Sequence, residues 1–201
     1  MNSQSSFKIV SLKSLLDDPD LKEEAIKNTL SHFSCLDNDV NDFLRNKAIL
    51  FEKMGMARTY LILDSRNLIA YFSIAIKPLT IDSESWNQMS KNLRHKFSPL
   101  GYRDHYNEYN IPAILIGQLG KDQYLGKSIA GKELASIALN QVKAVWELSG
   151  GSVVYLEAKD IPFLLKFYTD IGFTRVSLNH NTQIYKSSNG LQLYVMKLDK
   201  I

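Results

Sequence analysis

The sequence predicts an α/β protein in which a mixed, mostly antiparallel sheet is flanked by helices. Two observations carry this prediction. Apolar runs rich in β-branched residues recur along the chain, and stretches with helical periodicity lie between them. The chain has 201 residues, of which 45% are hydrophobic, so it can bury one full core. We therefore expect a single domain over residues 1–201, with an insertion at 78–110 between central strands.

The N-terminal part predicts one strand followed by two helices. The strand is "FKIVSL", and the acidic stretch after it is typical of a turn that enters a helix. The second helix should begin near Asp37 or Asn38 and end at Gly55, because its apolar residues recur at spacings of three and four. The acidic residues at its start suit helix capping better than catalysis, and Cys35 suits a packed apolar position better than a nucleophile.

The middle of the chain predicts an antiparallel hairpin and then the insertion. "ARTYLILD" and "LIAYFSIAIK" are apolar, β-rich runs that only "SRN" separates, which favours a hairpin. Residues 78–110 are polar and aromatic. They should contain one helix around "SESWNQMSKNLRHKF", followed by a tyrosine-rich loop.

The C-terminal half alternates strands and helices. "IPAILIGQLG" predicts a strand, and helical spacing after Ser128 predicts a helix that reaches about Leu148. "SVVYLEA" is a further strand, and "IPFLLKFYTDIGF" is a short helix with a proline in its first turn and a glycine at its end. The last two strands are "TRVSL" and "LQLYVMKL", joined by a loop that contains Asn179, Asn181 and the turn pair Asn189-Gly190.

The stretch "GKDQYLGKS" (120–128) lies between a predicted strand and a predicted helix, and it partly matches a nucleotide-binding P-loop. Gly126, Lys127 and Ser128 fit the end of the P-loop pattern, but Lys121 stands where the first glycine belongs. The spacing therefore disfavours a nucleotide hydrolase. A strand, a glycine loop and a helix in sequence still aim backbone N–H groups and a helix dipole at one point, where a pyrophosphate can bind without a metal.

The pattern Gln123-x-x-Gly126-x-Ser128 resembles the Q/R-x-x-G-x-G/A signature of the GNAT superfamily of acyl-CoA N-acyltransferases, with Ser128 in place of glycine or alanine. "FLLKFYTDIGF" resembles the C-terminal "FY-x-x-x-GF" segment of the family, and the central hairpin also matches in order. "FSCLDNDVNDFLRNKA" is similar to a segment of GNAT toxins that acetylate aminoacyl-tRNA.

The resemblance implies the GNAT fold and transfer of an acetyl group from acetyl-CoA to a primary amine, without a metal. It implies that Leu119, Gly120 and Lys121 present backbone groups to the acetyl and pantetheine parts, and that Gly126 to Ala130 hold the pyrophosphate. The full set of implied coenzyme-binding residues is Leu119, Gly120, Lys121, Gln123, Tyr124, Leu125, Gly126, Lys127, Ser128, Ile129, Ala130 and Phe167. The alternative for Gly126 is an ordinary strand-to-helix turn. The alternative for the whole chain is a non-catalytic GNAT-fold module that binds CoA or a partner protein.

Tyr168 is the candidate general acid, because a phenol stays protonated at neutral pH and can donate to a departing thiolate. A half-buried structural tyrosine is the alternative. Glu157 is the candidate base, acting directly or through a water, although a surface carboxylate fits it equally well.

Net charge, cysteine count and hydropathy bear on the partners, the cross-links and the localisation of the protein. The net charge of +3 does not by itself indicate a nucleic-acid binder, but tRNA is a possible partner, because the insertion carries Lys91, Arg94, Lys96 and Arg103. A solvated basic face is the other interpretation. One cysteine excludes an internal disulfide and a cysteine-rich zinc cluster. We expect a cytoplasmic protein without a membrane span, as a monomer or homodimer.

Overall fold

The computed structural model describes residues 7–65, 67–178, 183–187 and 189–201. The chain divides into two compact units, each built from two segments: 1–75 with 116–138, and 76–115 with 139–201. Two strands and one long helix each contribute residues to both units. The interpretation of 1–201 as a single domain stays a prediction.

The first unit begins with strand β1 (Lys8–Ser11) and a group of helices: α1 (Leu12–Leu16), α2 (Glu23–Ser31), α3 (Asn38–Asp42) and α4 (Ala48–Lys53), with a π-helical turn (Phe43–Lys47) between the last two. The predicted helix boundaries at Asp37 and Gly55 are confirmed. Asp37 accepts the N–H of Asp39 at 2.9 Å, and Gly55 has a φ of +69° just after the last turn. Helix α1 was not predicted, because five residues are too few to show helical periodicity.

Four strands form the sheet of the first unit in the order β1-β2-β3-β7. The predicted hairpin is confirmed as β2 (Arg58–Asp64) and β3 (Asn67–Ile76), which pair antiparallel with Asp64 opposite Asn67. Ser65 has a φ of 57° in the connection, and Arg66 lies outside the described residues. Strand β7 (Ala113–Lys121) forms where the strand "IPAILIGQLG" was predicted.

Helix and sheet residues of the first unit share one apolar core. Its fully buried members include Leu12, Leu30, Leu44 and Tyr71, and Cys35 packs against it half-buried. The interpretation of Cys35 as a packed residue is therefore confirmed. Burial raises the pKa of its thiol above the ordinary value, which opposes formation of a nucleophilic thiolate.

The insertion lies in the second unit and differs from its prediction. Two helices, α5 (Ser83–Gln88) and α6 (Lys91–Phe97), replace the single helix expected there. Met89 is extended between them, with a φ of −63° and a ψ of 146°, and Ser90 caps α6 by accepting the N–H of Leu93 at 3.2 Å. The expected tyrosine-rich loop contains strands, and the strands β4 (Leu79–Ile81), β5 (Tyr102–Arg103) and β6 (Tyr109–Ile111) form a small sheet ordered β4-β6-β5.

The rest of the second unit is a sheet with helices. Strand β8 (Val153–Ala158) pairs in parallel with residues 113–115 of β7 and antiparallel with β12 (Gln192–Lys197), which pairs in turn with β9 (Thr174–Arg175). The helices are α7 (Gly131–Ser149), which enters this unit at residue 139, and α8 (Pro162–Asp170). The mixed, mostly antiparallel sheet with flanking helices is the predicted fold class.

The predicted "TRVSL" strand is divided in the structure. After β9 the chain forms β10 (Ser177–Leu178), which pairs with β11 (Gln183–Ile184) in a separate two-stranded sheet. The predicted turn at Gly190 is confirmed by its φ of +74° and by its N–H bond to the carbonyl of Ser187 at 2.8 Å. Asn179 and Asn181 lie outside the described residues.

Candidate functional site

The glycine loop of the first unit connects the end of β7 to the start of α7. After Lys121 the chain makes a turn at 122–125 and a single 3-10 turn at Gly126–Ser128, and Ile129 is then extended. Helix α7 begins at Gly131, three residues after Ser128. The predicted succession of strand, glycine loop and helix is therefore present, but the positive end of the helix dipole lies beyond the glycine-lysine-serine segment.

Asp122 holds this loop in shape. It is only 3% exposed, and its Oδ1 accepts the N–H groups of Tyr124 at 2.8 Å and Leu125 at 2.9 Å. Its Oδ2 accepts the N–H of Ser34 at 2.8 Å, and its own N–H donates to the carbonyl of Ile69 at 2.8 Å. Asp122 was not among the predicted site residues. An aspartate directly after a strand, able to accept from amides two and three residues ahead, was the available signal.

The side chains of Gln123 and Lys121 also have partners inside the protein. Gln123 donates its backbone N–H to the carbonyl of Ser34 at 2.8 Å and its side-chain amide to the Ser34 hydroxyl at 3.1 Å. Lys121 donates its ammonium group to the carbonyl of Ile129 at 3.2 Å. Of these two predicted coenzyme-binding residues, Gln123 therefore holds the loop to the segment at Ser34, and Lys121 holds the start of the loop to its end at Ile129.

Two glycines of the loop region occupy positions that a larger residue cannot take. A Cβ atom at Gly126 would lie 2.8 Å from the carbonyl oxygen of Ile69, and one at Gly120 would lie 2.6 Å from a methyl group of Val40. The N–H of Gly126 donates to the carbonyl of Asp122 at 2.9 Å. The close approach of the Ile69 carbonyl explains why a glycine stands at position 126. The amide of Gly126 already has a hydrogen-bond acceptor within the protein.

The outer surface of the loop is open. Tyr124 and Leu125 are 71% and 49% exposed, and Lys127, Ser128 and Ala130 are exposed as well. The Ser128 hydroxyl makes a long contact of 3.4 Å with the carbonyl of Leu125. Helix α7 starts at Gly131, and the N–H of Leu134 in its first turn donates to the carbonyl of Ala130 at 3.0 Å. The first N–H groups of a helix are the usual basis of anion binding at its start.

Tyr168 lies on α8 in the second unit, within a cluster of aromatic rings. It is 8% exposed, and its ring lies 5.1 Å from those of Phe167 and Tyr194 and 6.1 Å from that of Phe173. Gly172 reverses the chain with a φ of +103°, which brings the N–H of Phe173 to the carbonyl of Tyr168 at 3.0 Å. The "FYTDIGF" segment therefore fixes the Tyr168 ring by packing.

Glu157, the candidate base, is partly buried on β8 opposite Leu193 of β12. Burial is the main cause that raises the pKa of Tyr155, and the negative charge of Glu157 adds to it. The pKa of Tyr185 is also raised, by burial, by Asp82 and by Glu157. The carboxylate of Glu157 is therefore close enough to these two tyrosines to act on them electrostatically.

A buried polar pair on β12 was not foreseen from the sequence. Gln192 and Tyr194 are both fully buried, and the Tyr194 hydroxyl donates to Gln192 Oε1 at 2.9 Å. Gln192 Nε2 is buried without an acceptor in the part of the chain that the structure describes. Tyr194 also packs against the ring of Tyr168. The Gln192–Tyr194 pair therefore supports the side of the sheet against which Tyr168 packs.

The described residues contain no group of three or more His, Cys, Asp or Glu side chains placed to hold a metal ion. None of the helices described combines the length and the apolar character that crossing a membrane requires.

Solved structures of a toxin and its complexes are similar to this chain over nearly its whole length. AtaT complexed with acetyl-methionyl-tRNAfMet covers 97% of this chain and 96% of its own, with 19% identity and a TM-score of 0.65. AtaTR bound with acetyl-CoA covers 96% and 94%, with 17% identity and a TM-score of 0.60. A tyrosine-to-phenylalanine mutant of AtaT bound to the C-terminus of the antitoxin AtaR covers 97% and 94%, with 18% identity and a TM-score of 0.62.

No model of a protein family matches the chain, and no curated protein sequence is significantly similar to it. The solved structures show that the chain shares their fold.

Proposed function

Since the chain has the GNAT fold, as its sequence resemblance implied, we propose that it transfers an acetyl group from acetyl-CoA to a primary amine. The observation that carries this proposal is the rigid, glycine-containing loop between β7 and the 19-residue helix α7. Its outer surface is exposed, and it leads into a long helix whose dipole favours a pyrophosphate at its start. The similar structure of AtaTR bound with acetyl-CoA supports the same coenzyme.

In this proposal, some loop residues fix the shape of the loop and others contact the coenzyme. Asp122, Gln123 and Lys121 hold the loop, while the exposed residues Lys127, Ser128 and Ala130 and the first turn of α7 contact the pyrophosphate. Because the Gly126 amide already bonds within the protein, Gly126 serves by letting the loop pack against Ile69. Leu119 and Gly120 present backbone groups to the acetyl and pantetheine parts, and Phe167 packs beside the coenzyme.

The chemical step is a direct attack of the amine on the thioester carbonyl. A C–N bond forms, the C–S bond breaks, and the sulfur leaves as a thiolate. Tyr168 gives its phenolic proton to this sulfur, and Glu157 removes a proton from the amine, directly or through a water. Packing of Tyr168 against Phe173 and Tyr194 supports this role, because a ring held in one place can present its hydroxyl repeatedly to one point.

An aminoacyl-tRNA is the acceptor that we propose within this reaction class, with the chain acting as a toxin that an antitoxin protein restrains. The similar structures include AtaT with acetyl-methionyl-tRNAfMet and AtaT with part of the antitoxin AtaR. The exposed Lys91 and Lys96 of α6 and Arg103 of β5 supply positive charge suited to RNA phosphates.

One observation favours a second candidate, a GNAT-fold module that binds CoA or a protein without catalysing transfer. The N–H groups of Asp122, Gln123, Tyr124, Leu125 and Gly126 all donate to acceptors inside the protein, so this part of the loop offers no donor to a phosphate. Ser128 also replaces the small residue of the family pattern.

Labelled acetyl-CoA distinguishes the two candidates. The protein is incubated with it and with separate pools of aminoacyl-tRNA, protein and metabolites, and the label in each pool is counted. We expect label in the aminoacyl-tRNA pool. Label in another pool would support the transferase activity but contradict aminoacyl-tRNA as the acceptor. Coenzyme binding with no transfer to any pool would favour the non-catalytic module. Expression in a bacterium adds a test of toxicity, because unimpaired growth would argue against a toxin.

A further inference from the structure

A short hairpin of the insertion, residues 102–109, is anchored firmly in the second unit. Tyr109 is 6% exposed and stacks on Trp86 with ring centroids 3.7 Å apart. Its hydroxyl donates to the carbonyl of Ser98 at 2.6 Å and reaches that of Gly101 at 3.0 Å. One buried tyrosine therefore holds the chain just before β5, and we call residues 102–109 the aromatic hairpin.

The tip of the aromatic hairpin is fixed by Asp104. Its Oδ1 accepts the N–H groups of Tyr106 at 2.9 Å and Glu108 at 3.0 Å, and its Oδ2 accepts the side-chain amide of Asn110 at 3.0 Å. Although burial acts to raise it, the pKa of Asp104 is lowered by these hydrogen bonds. Three donors thus occupy the carboxylate, and the turn has one defined shape.

This rigid turn holds large side chains out in solvent. Tyr106 is 73% exposed and Tyr102 is 62% exposed, and the rings of His105 and Tyr106 lie 3.8 Å apart. An exposed tyrosine on a mobile loop is ordinary, but here hydrogen bonds fix the backbone on both sides of the exposed rings. Ordering this surface on binding would therefore cost little conformational entropy.

The segment 91–109, which includes α6 and the aromatic hairpin, has an excess of positive charge. Residues 91–109 carry four Lys or Arg side chains against two carboxylates, and one of these, Asp104, is already occupied by three donors. Arg103 is exposed between Tyr102 and the turn, and Lys91 and Lys96 are exposed on α6. Aromatic faces interleaved with basic side chains are the combination that binds unpaired nucleotides, since bases stack on the rings and phosphates meet the cations.

We propose that the aromatic hairpin binds unpaired nucleotides of an RNA, with a base stacked on Tyr106 and a phosphate at Arg103. This inference rests on the proposed function, because it places the RNA part of the acceptor on the insertion. It assigns Tyr106 and His105 to stacking, Arg103 and α6 to the phosphates, and Asp104 and Tyr109 to support of the turn.

The test measures binding of a short fluorescein-labelled single-stranded RNA by anisotropy, with the same sequence as a duplex for comparison. Tyr106→Ala should weaken single-strand binding by about tenfold, and Arg103→Gln should lower the slope of log affinity against log salt by about 0.7. Leu148→Ala removes another exposed apolar side chain and Lys27→Gln another exposed cation, and both should bind within about twofold of the wild type.

Failure of this inference can be told from failure of the proposed function. Unchanged RNA affinity in Tyr106→Ala and Arg103→Gln, or preference for the duplex, would overturn it and leave a protein partner as the occupant of the surface. Acetylated tRNA made with an unaltered KM by the hairpin variants would also overturn it, while the proposed function stands. RNA bound through the hairpin without label transfer would instead retain the inference and reject the transferase.

Discussion

The carboxylate of Asp122 accepts the backbone N–H of Ser34 at 2.8 Å, across 88 positions of sequence. The same side chain accepts two amides of its own loop, so one buried charge joins the glycine loop to the chain after α2. The shape of the candidate coenzyme loop is therefore set by a contact that is distant in sequence.

Replacing Asp122 by alanine should destabilise the protein by about 3 kcal/mol or more, because three N–H groups lose a charged acceptor in a buried place. Urea unfolding measures the loss, and isothermal titration with acetyl-CoA should show weakened binding. Asp20→Ala removes an exposed carboxylate and should change stability by less than about 0.5 kcal/mol. Equal stability of the two variants would contradict the role given to Asp122.

Gly126→Ala should displace the loop, since the new Cβ would lie 2.8 Å from a backbone carbonyl that cannot rotate away. We expect a loss of about 1–3 kcal/mol in stability and weaker coenzyme binding. Gly55→Ala is the matched control. It meets no atom within 4 Å but has a φ of +69°, so it should cost about 1 kcal/mol and leave coenzyme affinity unaltered. Coenzyme affinity that falls equally in both variants would show a general effect of destabilisation instead.

Tyr168→Phe should lower kcat by about a hundredfold or more, because the ring contacts remain while the proton donor is removed. Tyr71→Phe is the control, in which stability should fall while kcat does not. It loses a buried hydrogen bond to the carbonyl of Val40, which should cost about 1 kcal/mol of stability and leave kcat unchanged. Steady-state kinetics with urea unfolding of both variants checks this, and normal turnover by Tyr168→Phe would remove Tyr168 as the acid.

The Gln192–Tyr194 pair should show strong energetic coupling. Gln192→Met deprives the Tyr194 hydroxyl of its acceptor, and Tyr194→Phe leaves the Gln192 carbonyl unpaired, so each single variant should lose about 1–2 kcal/mol. The double variant removes both polar groups, including the Nε2 that lacks an acceptor among the described residues, and should be at least as stable as the better single variant. Losses that simply add in the unfolding measurements would mean that the two side chains act independently.

Alkaline pH should destabilise the fold through its buried tyrosines. Burial raises the pKa of Tyr71 and of Tyr155 above the ordinary value. The unfolded chain therefore releases these protons at lower pH than the folded chain, and the free energy of unfolding falls as the pH rises above about 10. Tyr71→Phe should make this fall shallower in urea unfolding at a series of pH values, and a slope as steep as that of the wild type would refute the assignment.

The sequence by itself determined the elements whose signals are local. Apolar alternation gave the hairpin of β2 and β3, capping residues gave the helix limits at Asp37 and Gly55, and the glycine loop appeared between a strand and a helix. These features depend on residues within a few positions of each other, so they can be recognised from spacing alone.

Only the tertiary structure decided how those elements are used. The bond from Ser34 to Asp122, the approach of Gly126 to Ile69 and the aromatic packing of Tyr168 all join segments far apart in sequence. The break of the predicted insertion helix at Met89 likewise involves a distant segment, because Met89 is extended and forms an antiparallel β-bridge with Leu178. Local patterns do not contain such contacts, because burial and partner choice depend on which distant surfaces the folded chain brings together.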